Sequence, residues 1–453
     1  MASEKWRDTV IVAVLGSTGT GKSKLGIELA QELNGEIISA DSIQVYKGLD
    51  ICSAKVTAEE QAAAQHHLLS VAECTHSYDV VKFRDTALST ISDILDRGKV
   101  PIIVGGTNYY IESLIWETLM PESSAVDQEM RVETNASSTP VGGCTVDDET
   151  HRHHPQADVD GAPVKTTEAA AAAAHASMVS PHERLQKVDP DMAARLHPNN
   201  IRKIERSLAV FEEHGIPHTQ LLAQQHSDGD GACPQGARLR FPKTVAFWIR
   251  CDTDVLDKRL SKRVDGMVES GMMQELQCFH SEYGQHCLDE TGRPSFESGL
   301  FQSIGYKELY PYLSRSPDMD AEKSKSLLTE CLQSLVAATS RYARKQNAWI
   351  RNRFLKAGQK VRLYGVDSSH PENWNDDVLQ PALSIVQALL TDSPAPLAPL
   401  PLQAATKNSW TKYECTACNR LLHGDQEWKA HLTSRMHRRR KKRTEKRRVK
   451  EST

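Results

Sequence analysis

Gly16-Ser17-Thr18-Gly19-Thr20-Gly21-Lys22-Ser23 matches G-x-x-x-x-G-K-[ST] at every fixed position. Such a loop holds a phosphoryl or pyrophosphoryl group: glycines let backbone N–H groups turn inward around an anion, and the following helix adds its partial positive charge. Lys22 is expected to meet the outer phosphate oxygens, and the Ser23 hydroxyl a phosphate-bound Mg²⁺. The bland alternative is a Gly-rich turn with no ligand. A second set starts at Asp41, followed by Ser42, Gln44 and Tyr46. A carboxylate after an apolar run can hold a metal or cap a helix, but polar and aromatic neighbours suit a planar base better than a metal alone. A third set, Cys415-x2-Cys418-x12-His431-x5-His437, has the spacing of a Cys2His2 zinc finger. Zn²⁺ there would supply most of the folding energy of so short a module.

The elements that must position these residues follow one pattern. The phosphate loop lies between the apolar run Val10–Leu15 and a helical stretch, 24–34. Residues 36–40 form a short strand ending in Asp41, and Val100–Val104, after the helical pattern of 80–97, ends in Gly105-Gly106-Thr107-Asn108. A late strand, 244–250, rejoins them. Strands alternating with helices imply a parallel α/β sheet flanked by helices, with ligands outside the carboxyl ends of the strands. The expected architecture is a P-loop sheet with a helical insertion domain and a small C-terminal Cys2His2 finger.

Domain boundaries come from composition. Residues 1–120 and 236–392 form the two parts of the core, the second rich in helix over 254–280 and 324–353. Residues 121–180, poor in large apolar residues and carrying His151, His153, His154 and an alanine run, are expected to be a disordered insertion. Residues 181–235 are expected to be helical, with Ala193, Leu196, Ile201, Ile204, Leu208 and Phe211 forming an apolar stripe. Arg202, Lys203 and Arg206 are free to face outward there, either as a nucleic-acid contact or as an ordinary solvated face. A Pro- and Leu-rich linker, 393–410, leads to the finger, 411–440, and a basic tail, 441–453. A basic and aromatic cluster, 341–349, suits either a nucleic-acid backbone with exposed bases or a helix with a charged rim.

The chain of 453 residues is 39% hydrophobic and 25% charged, with no apolar run long enough to span a bilayer. Its net charge of −4 hides an asymmetry, since the last residues are densely basic and suit a nucleic-acid partner. Ten cysteines with one regular spacing suit a reducing compartment and a metal site, not a disulfide framework. The N-terminus has neither signal-peptide nor transit-peptide character. The expected location is cytoplasmic, with nuclear or mitochondrial pools.

GSTGTGKS, ADSIQVY, HHLL at 66–69, VGGTNYYIESL at 104–114, HPNNIRKIERSLAV at 197–210, RVDGMVESG at 263–271, SIGYKEL and TSRYARKQNAWIRNRF together resemble the tRNA dimethylallyltransferase (tRNA isopentenyltransferase) family. The matches run in family order from about residue 10 to residue 355, and the finger resembles the extension of eukaryotic members. The long insertion and Glu205, within an otherwise basic stretch, depart from the pattern. The resemblance implies transfer of a dimethylallyl group from its diphosphate to N6 of the adenosine beside the anticodon, in tRNAs reading codons that begin with U. It implies that residues Gly16 to Ser23 bind the diphosphate, with Lys22, Arg263 and Mg²⁺ at Ser23 stabilising the leaving group. Thr107 would donate to the bridging oxygen, and Asp41 would take the amine proton. Asp41, Ser42, Ile43, Gln44, Arg202, Lys203 and Arg206 would contact the tRNA anticodon arm, and the enzyme is expected to be a monomer. The alternative is a nucleotide or small-molecule kinase with an appended nucleic-acid-binding finger.

Overall fold

A computed structural model of the chain describes residues 8–117, 180–196, 198, 200–221, 239–289, 291–296, 298–355, 361–403, 412–418, 420–423 and 425–442. The low-complexity insertion expected over 121–180, apart from Ser180, and nearly all of the basic tail lie outside these residues. The chain divides into two units, Met1–Ala136 with Gln225–Ala405, and Ser137–Gln224 with Thr406–Thr453.

In chain order the helices are α1 (Lys22–Glu32), α2 (Ala58–Ala63), α3 (Val80–Asp96), α4 (Asn108–Ile115), α5 (Pro181–Val188), α6 (Pro190–Arg195), α7 (Ile201–His214), α8 (Thr253–Glu269), α9 (Met272–Tyr283), α10 (Tyr306–Leu313), α11 (Ala321–Arg353), α12 (Gln380–Leu390) and α13 (Asp425–Thr433). The strands are β1 (Val10–Gly16), β2 (Gly35–Ser39), β3 (His66–His67), β4 (Val100–Val104), β5 (Lys243–Arg250), β6 (Arg362–Asp367), β7 (Lys412–Cys415) and β8 (Arg420–His423). The first unit is built on a wholly parallel six-stranded sheet in the order β3-β2-β4-β1-β5-β6.

β1 is buried along its whole length, as expected of a central parallel strand covered on both faces. Alternation sends Ile11, Ala13 and Leu15 into a core with α3 and α4, and Val10, Val12 and Val14 into one with α1 and α12. A third core, free of the sheet, joins α8 to α11 through Met272, Leu276, Phe279, Tyr306, Leu309 and Leu335.

The sequence pattern misses β3 and β6. β3 has only two residues, too few to show a period, and Arg362, Gly365 and Asp367 interrupt the apolar alternation of β6. The helical stretch expected over 254–280 is divided into α8 and α9, because Gly271 sits at φ 98° and stops α8. α11 begins earlier than its apolar pattern, where the Asp320 carboxylate accepts the N–H groups of Glu322 and Lys323.

In the second unit, α5 to α7 close a small core of Leu185, Met192, Ala193, Ile204 and Leu208. Ile201 departs from the expected stripe: at the first position of α7 it is 51% exposed. The buried Asp189 carboxylate caps α6 through the Met192 N–H and also accepts from the Thr219 N–H and hydroxyl, so it ties the end of this unit together.

The far end of the Pro-rich stretch is tied into the first unit, to which it belongs. The Leu400 N–H donates to the Leu363 carbonyl at 2.7 Å, and the Gln403 N–H to the Leu355 carbonyl at 2.6 Å.

At the amino-terminal end of the sheet, Glu36 is 2% exposed yet charged. Arg97, Lys99 at 2.7 Å and His67 at 2.7 Å surround its carboxylate. The hydrogen bonds from Arg97, set against burial and aided by Lys99 and His67, hold it well below the usual carboxylate range. A depressed folded-state value means that this stabilisation is present above the unfolded value of about 4.3 and is lost as pH falls below it. Glu36→Ala, which removes the partner of Lys99 and His67 and leaves Arg97 with Asp93 alone, should destabilise the fold, by about 1–2 kcal/mol after discounting for the partly exposed cations. Denaturant unfolding checks this, and Glu36→Gln should flatten the fall in stability below about pH 4 seen in the wild type.

Candidate active site

Three strand ends meet at the carboxyl rim of the sheet. The register sets Val14 of β1 and Ser39 of β2 opposite Val104 of β4, so the loops after them start at one level. Gly105 follows β4 so closely that a Cβ there would lie 2.1 Å from the Ala40 carbonyl oxygen. That contact explains the Gly pair: no side chain fits, and the Thr107 N–H donates to the same Ala40 carbonyl. A cavity of about 630 Å³ opens at this rim.

The loop of Gly16 to Gly21 closes upon itself. The Thr20 hydroxyl and the Lys22 ammonium both donate to the Ser17 carbonyl, at 2.8 and 2.9 Å. Gly19 and Gly21, at φ 84° and 94°, have no room for a Cβ, since Leu260 and Trp374 press on them. Thr18 and Lys22 reach the cavity wall, Ser17 and Thr20 are buried, and Ser23 is exposed on the first turn of α1, away from the lining.

Asp41 forms an Asx turn: its Oδ1 accepts the N–H of Ile43 at 2.9 Å and of Gln44 at 3.4 Å. Its Oδ2 faces Gly106, close to where a Cβ there would stand. The Thr107 hydroxyl accepts the Ser42 N–H at 2.9 Å and donates to the Ser42 hydroxyl at 3.2 Å, instead of capping α4. Gln44 lines the cavity, but its carboxamide is engaged, donating to the carbonyls of Ser53 and Ala54 and accepting from Ser39.

Asp41 is the only carboxylate lining the cavity among the described residues; Lys22 and Arg263 feel its charge, and Lys345 and Arg353 line the cavity too, Arg353 paired with Glu112. Burial drives the Lys22 ammonium down to about 8, against the attraction of Asp41 and with a push from Arg263. Burial also lowers Arg263, again opposed by Asp41. Burial, then the charge of Asp41, raises the Tyr342 phenol, which stays neutral. Cys52 lines the wall too, but burial and the nearby Glu275 and Glu308 push its thiol up to about 12, so it is no nucleophile. Val264, Met267, Met272, Ile304 and Leu335 make one side apolar.

α11 forms the wall that the sequence motifs left without a role. Trp349, 37% exposed, donates to the buried Glu112, which also receives the Arg353 guanidinium at 2.9 Å, and packs edge-on to Tyr109 at 6.3 Å. Tyr342, Lys345 and Gln346 line the cavity from the same helix. Their signal in the sequence was membership of a basic and aromatic stretch and of the motif TSRYARKQNAWIRNRF, neither of which gave them a role. Asp41, Thr107, Lys22 and Arg263 thus share one cavity, whereas Arg202, Lys203 and Arg206 belong to α7 in the second unit. Lys203 is exposed, Arg206 is half-buried near His218, and the Arg202 side chain lies outside the described residues.

Also in the second unit, Cys415, Cys418, His431 and His437 are buried together, with donor atoms all within 4.8 Å of one another. His437 Nδ1 lies 3.5 Å from each sulfur and 3.0 Å from His431 Nε2. The β7–β8 hairpin carries the cysteines and α13 holds His431, with Trp428 stacked on Tyr413 at 5.1 Å.

Residues 44–353 match the family model described as IPP transferase, and residues 9–75 one described as isopentenyl transferase. A mouse protein named tRNA dimethylallyltransferase is 41% identical over 442 residues, 95% of this chain and 85% of its own length. The human protein of that name is 39% identical over the same shares. A solved structure described as a eukaryotic dimethylallyltransferase acting on tRNA superimposes with a TM-score of 0.72 at 26% identity, covering 98% of this chain and 99% of that one. No helix among the described residues is long and apolar enough to cross a membrane. The chain belongs to the IPP transferase family.

Proposed function

We infer that this protein is a tRNA dimethylallyltransferase, moving the dimethylallyl group of dimethylallyl diphosphate to N6 of the adenosine beside the anticodon in tRNAs reading codons that begin with U. One observation carries the reading: among the described residues, a single carboxylate lies close to the Lys22 and Arg263 charges in a cavity with an apolar side. Cations suit a diphosphate leaving group, the apolar side suits the prenyl chain, and the carboxylate suits an amine proton. The names of the mouse and human relatives agree.

The N6 lone pair forms the new N–C bond as the allylic C–O bond breaks, and the diphosphate leaves with that electron pair. Lys22 and Arg263 stabilise the charge gathering on it, an effect that grows as water is excluded from the site. The Thr107 hydroxyl turns from Ser42 to the bridging oxygen. Asp41, anchored through Oδ1, takes the amine proton on Oδ2. Ser42, Ile43 and Gln44 bound the flipped base, and since the Gln44 carboxamide is engaged, its part is to shape the pocket.

Ser23, exposed beside Lys22, would be the residue to hold a Mg²⁺, which would supply positive charge against the diphosphate. We assign Zn²⁺ to the Cys415, Cys418, His431 and His437 cluster. Tetrahedral ligands about 2.0 to 2.3 Å from zinc lie roughly 3.3 to 3.8 Å apart, close to the separations among these atoms. The loop of residues 16–23 is then a P-loop turned to a leaving group, and residues 411–440 a zinc finger. Arg202, Lys203, Arg206 and the finger grip the tRNA anticodon arm, and the enzyme acts as a monomer.

Labelled dimethylallyl diphosphate incubated with total tRNA should put label into a nucleoside; label confined to free substrate would overturn the reading. Lys22→Ala should lower turnover by several kcal/mol of barrier while tRNA affinity holds, and unchanged turnover would remove the loop from the reaction. The Lys22 charge is lost above about pH 8 in the free protein, so the advantage of wild type over Lys22→Ala in pyrophosphate affinity should shrink as pH rises past that value. Titrations across pH with both proteins check this.

Asp41→Asn keeps size and polarity but not the proton acceptor. It should bind tRNA normally and transfer the prenyl group roughly 10²–10⁴-fold more slowly. Turnover within a few-fold of wild type would exclude Asp41 as the base.

Deleting residues 411–453 should leave transfer on bound tRNA nearly intact but weaken tRNA binding and flatten its salt dependence, because phosphate contacts release counterions. Equal affinity of the two forms across salt would instead make the finger a docking or localisation module.

A further inference from the structure

We propose that Gln346 is a positioning residue whose single carboxamide locks the diphosphate-side loop to the acceptor-side loop. It is 4% exposed and projects from α11 between the two. Its Oε1 accepts the Thr18 N–H at 2.8 Å, and its Nε2 donates to the Gly106 carbonyl at 2.9 Å. Its backbone carbonyl accepts from the Asn108 side chain at 3.3 Å. Tyr342, one turn earlier, donates to the same Gly106 carbonyl at 3.4 Å, and Asn347 lies 3.5 Å from the Ser17 hydroxyl.

The orientation of the amide is forced. An N–H of Thr18 can only donate and a carbonyl of Gly106 can only accept, so the flipped carboxamide would oppose like groups at both ends. Only a carboxamide supplies a donor and an acceptor at this reach; Lys and Arg only donate, and an ionised Glu only accepts. Gly106 is part of the fit, because a Cβ there would stand 2.5 Å from Gln346 Nε2. Thr18 precedes Lys22 on the loop assigned to the diphosphate, and Gly106 precedes Thr107 across from Asp41. A shift between the loops therefore moves the leaving group relative to the amine, and small misplacements of reacting groups cost rate steeply. The Thr18 N–H, engaged by Gln346, is not among the amides offered to the diphosphate.

The inference rests on the reading of the two loops above, and Gln346→Met and Gln346→Glu test it separately from that reading. For Gln346→Met, kcat should fall at least about tenfold while the KM values for dimethylallyl diphosphate and tRNA stay within roughly threefold. The pH profile of Gln346→Glu carries the distinguishing signature. A protonated carboxyl again has one donor and one acceptor, so the ratio of wild-type to variant kcat should shrink as pH falls, whereas that ratio for Gln346→Met stays flat. The charged and titratable groups that line this corner, Asp41, Lys22, Arg263 and Tyr342, are present in all three proteins and cancel in the ratio. A kcat within about threefold of wild type in both variants overturns the proposal. So does a joint loss of donor and tRNA affinity with a pH-independent ratio for Gln346→Glu, which would mean a general structural role. Lys22→Ala with undiminished pyrophosphate affinity would sink the loop assignment itself, and leaves the contrast between the two Gln346 variants to be read on its own.

Discussion

Parallel strands that end at one level place their outgoing loops side by side, and the contact of Gly105 with the Ala40 carbonyl fixes that level for β2 and β4. From it follow the positions of Asp41 and Thr107, one loop each from adjacent strands, and the mutual hydrogen bonds of Thr107 with Ser42. β1 adds the third loop from the other side of β4. Without so close an approach, the turn after β4 would stand off and its hydroxyl would not reach the residues after β2.

β2 is bracketed by two carboxylates with opposite fates. Glu36 near its start is saturated by three basic side chains and serves the fold. Asp41, just beyond its end, spends one oxygen on its own turn and presents the other to the cavity. The cations of the cavity are arranged in the opposite sense: Lys22 is held on a carbonyl and lowered by burial, a state that a bound anion relieves. Electrostatic strain of this kind marks sites built for a charge that arrives with the ligand.

The sequence made the glycine-rich loop of residues 16–23, the central strands and the Cys/His cluster legible because each rests on local spacing. β1 could be read from an unbroken apolar run, and the metal-ligand pattern from four residues. What escaped was non-local. Gln346, Tyr342 and Trp349 act across more than two hundred residues of chain, and nothing in their helical neighbourhood distinguishes them from a charged rim. β6 escaped because its partner β5, not its own composition, makes it a strand. Gln44 was legible as a cavity residue, but not that Ser53 and Ala54 already occupy its amide.

The docked Pro-rich segment bears on how this architecture stays out of trouble. β6 ends the sheet, and an end strand with free carbonyls is a template for intermolecular pairing. Leu400 occupies the carbonyl of Leu363, while prolines at 394, 396, 399 and 401 deny the segment the regular donors with which a further strand could propagate. What reads in the sequence as a spacer therefore covers part of the open edge of β6, and among the described residues the first unit runs to Gln403 instead of stopping at α12.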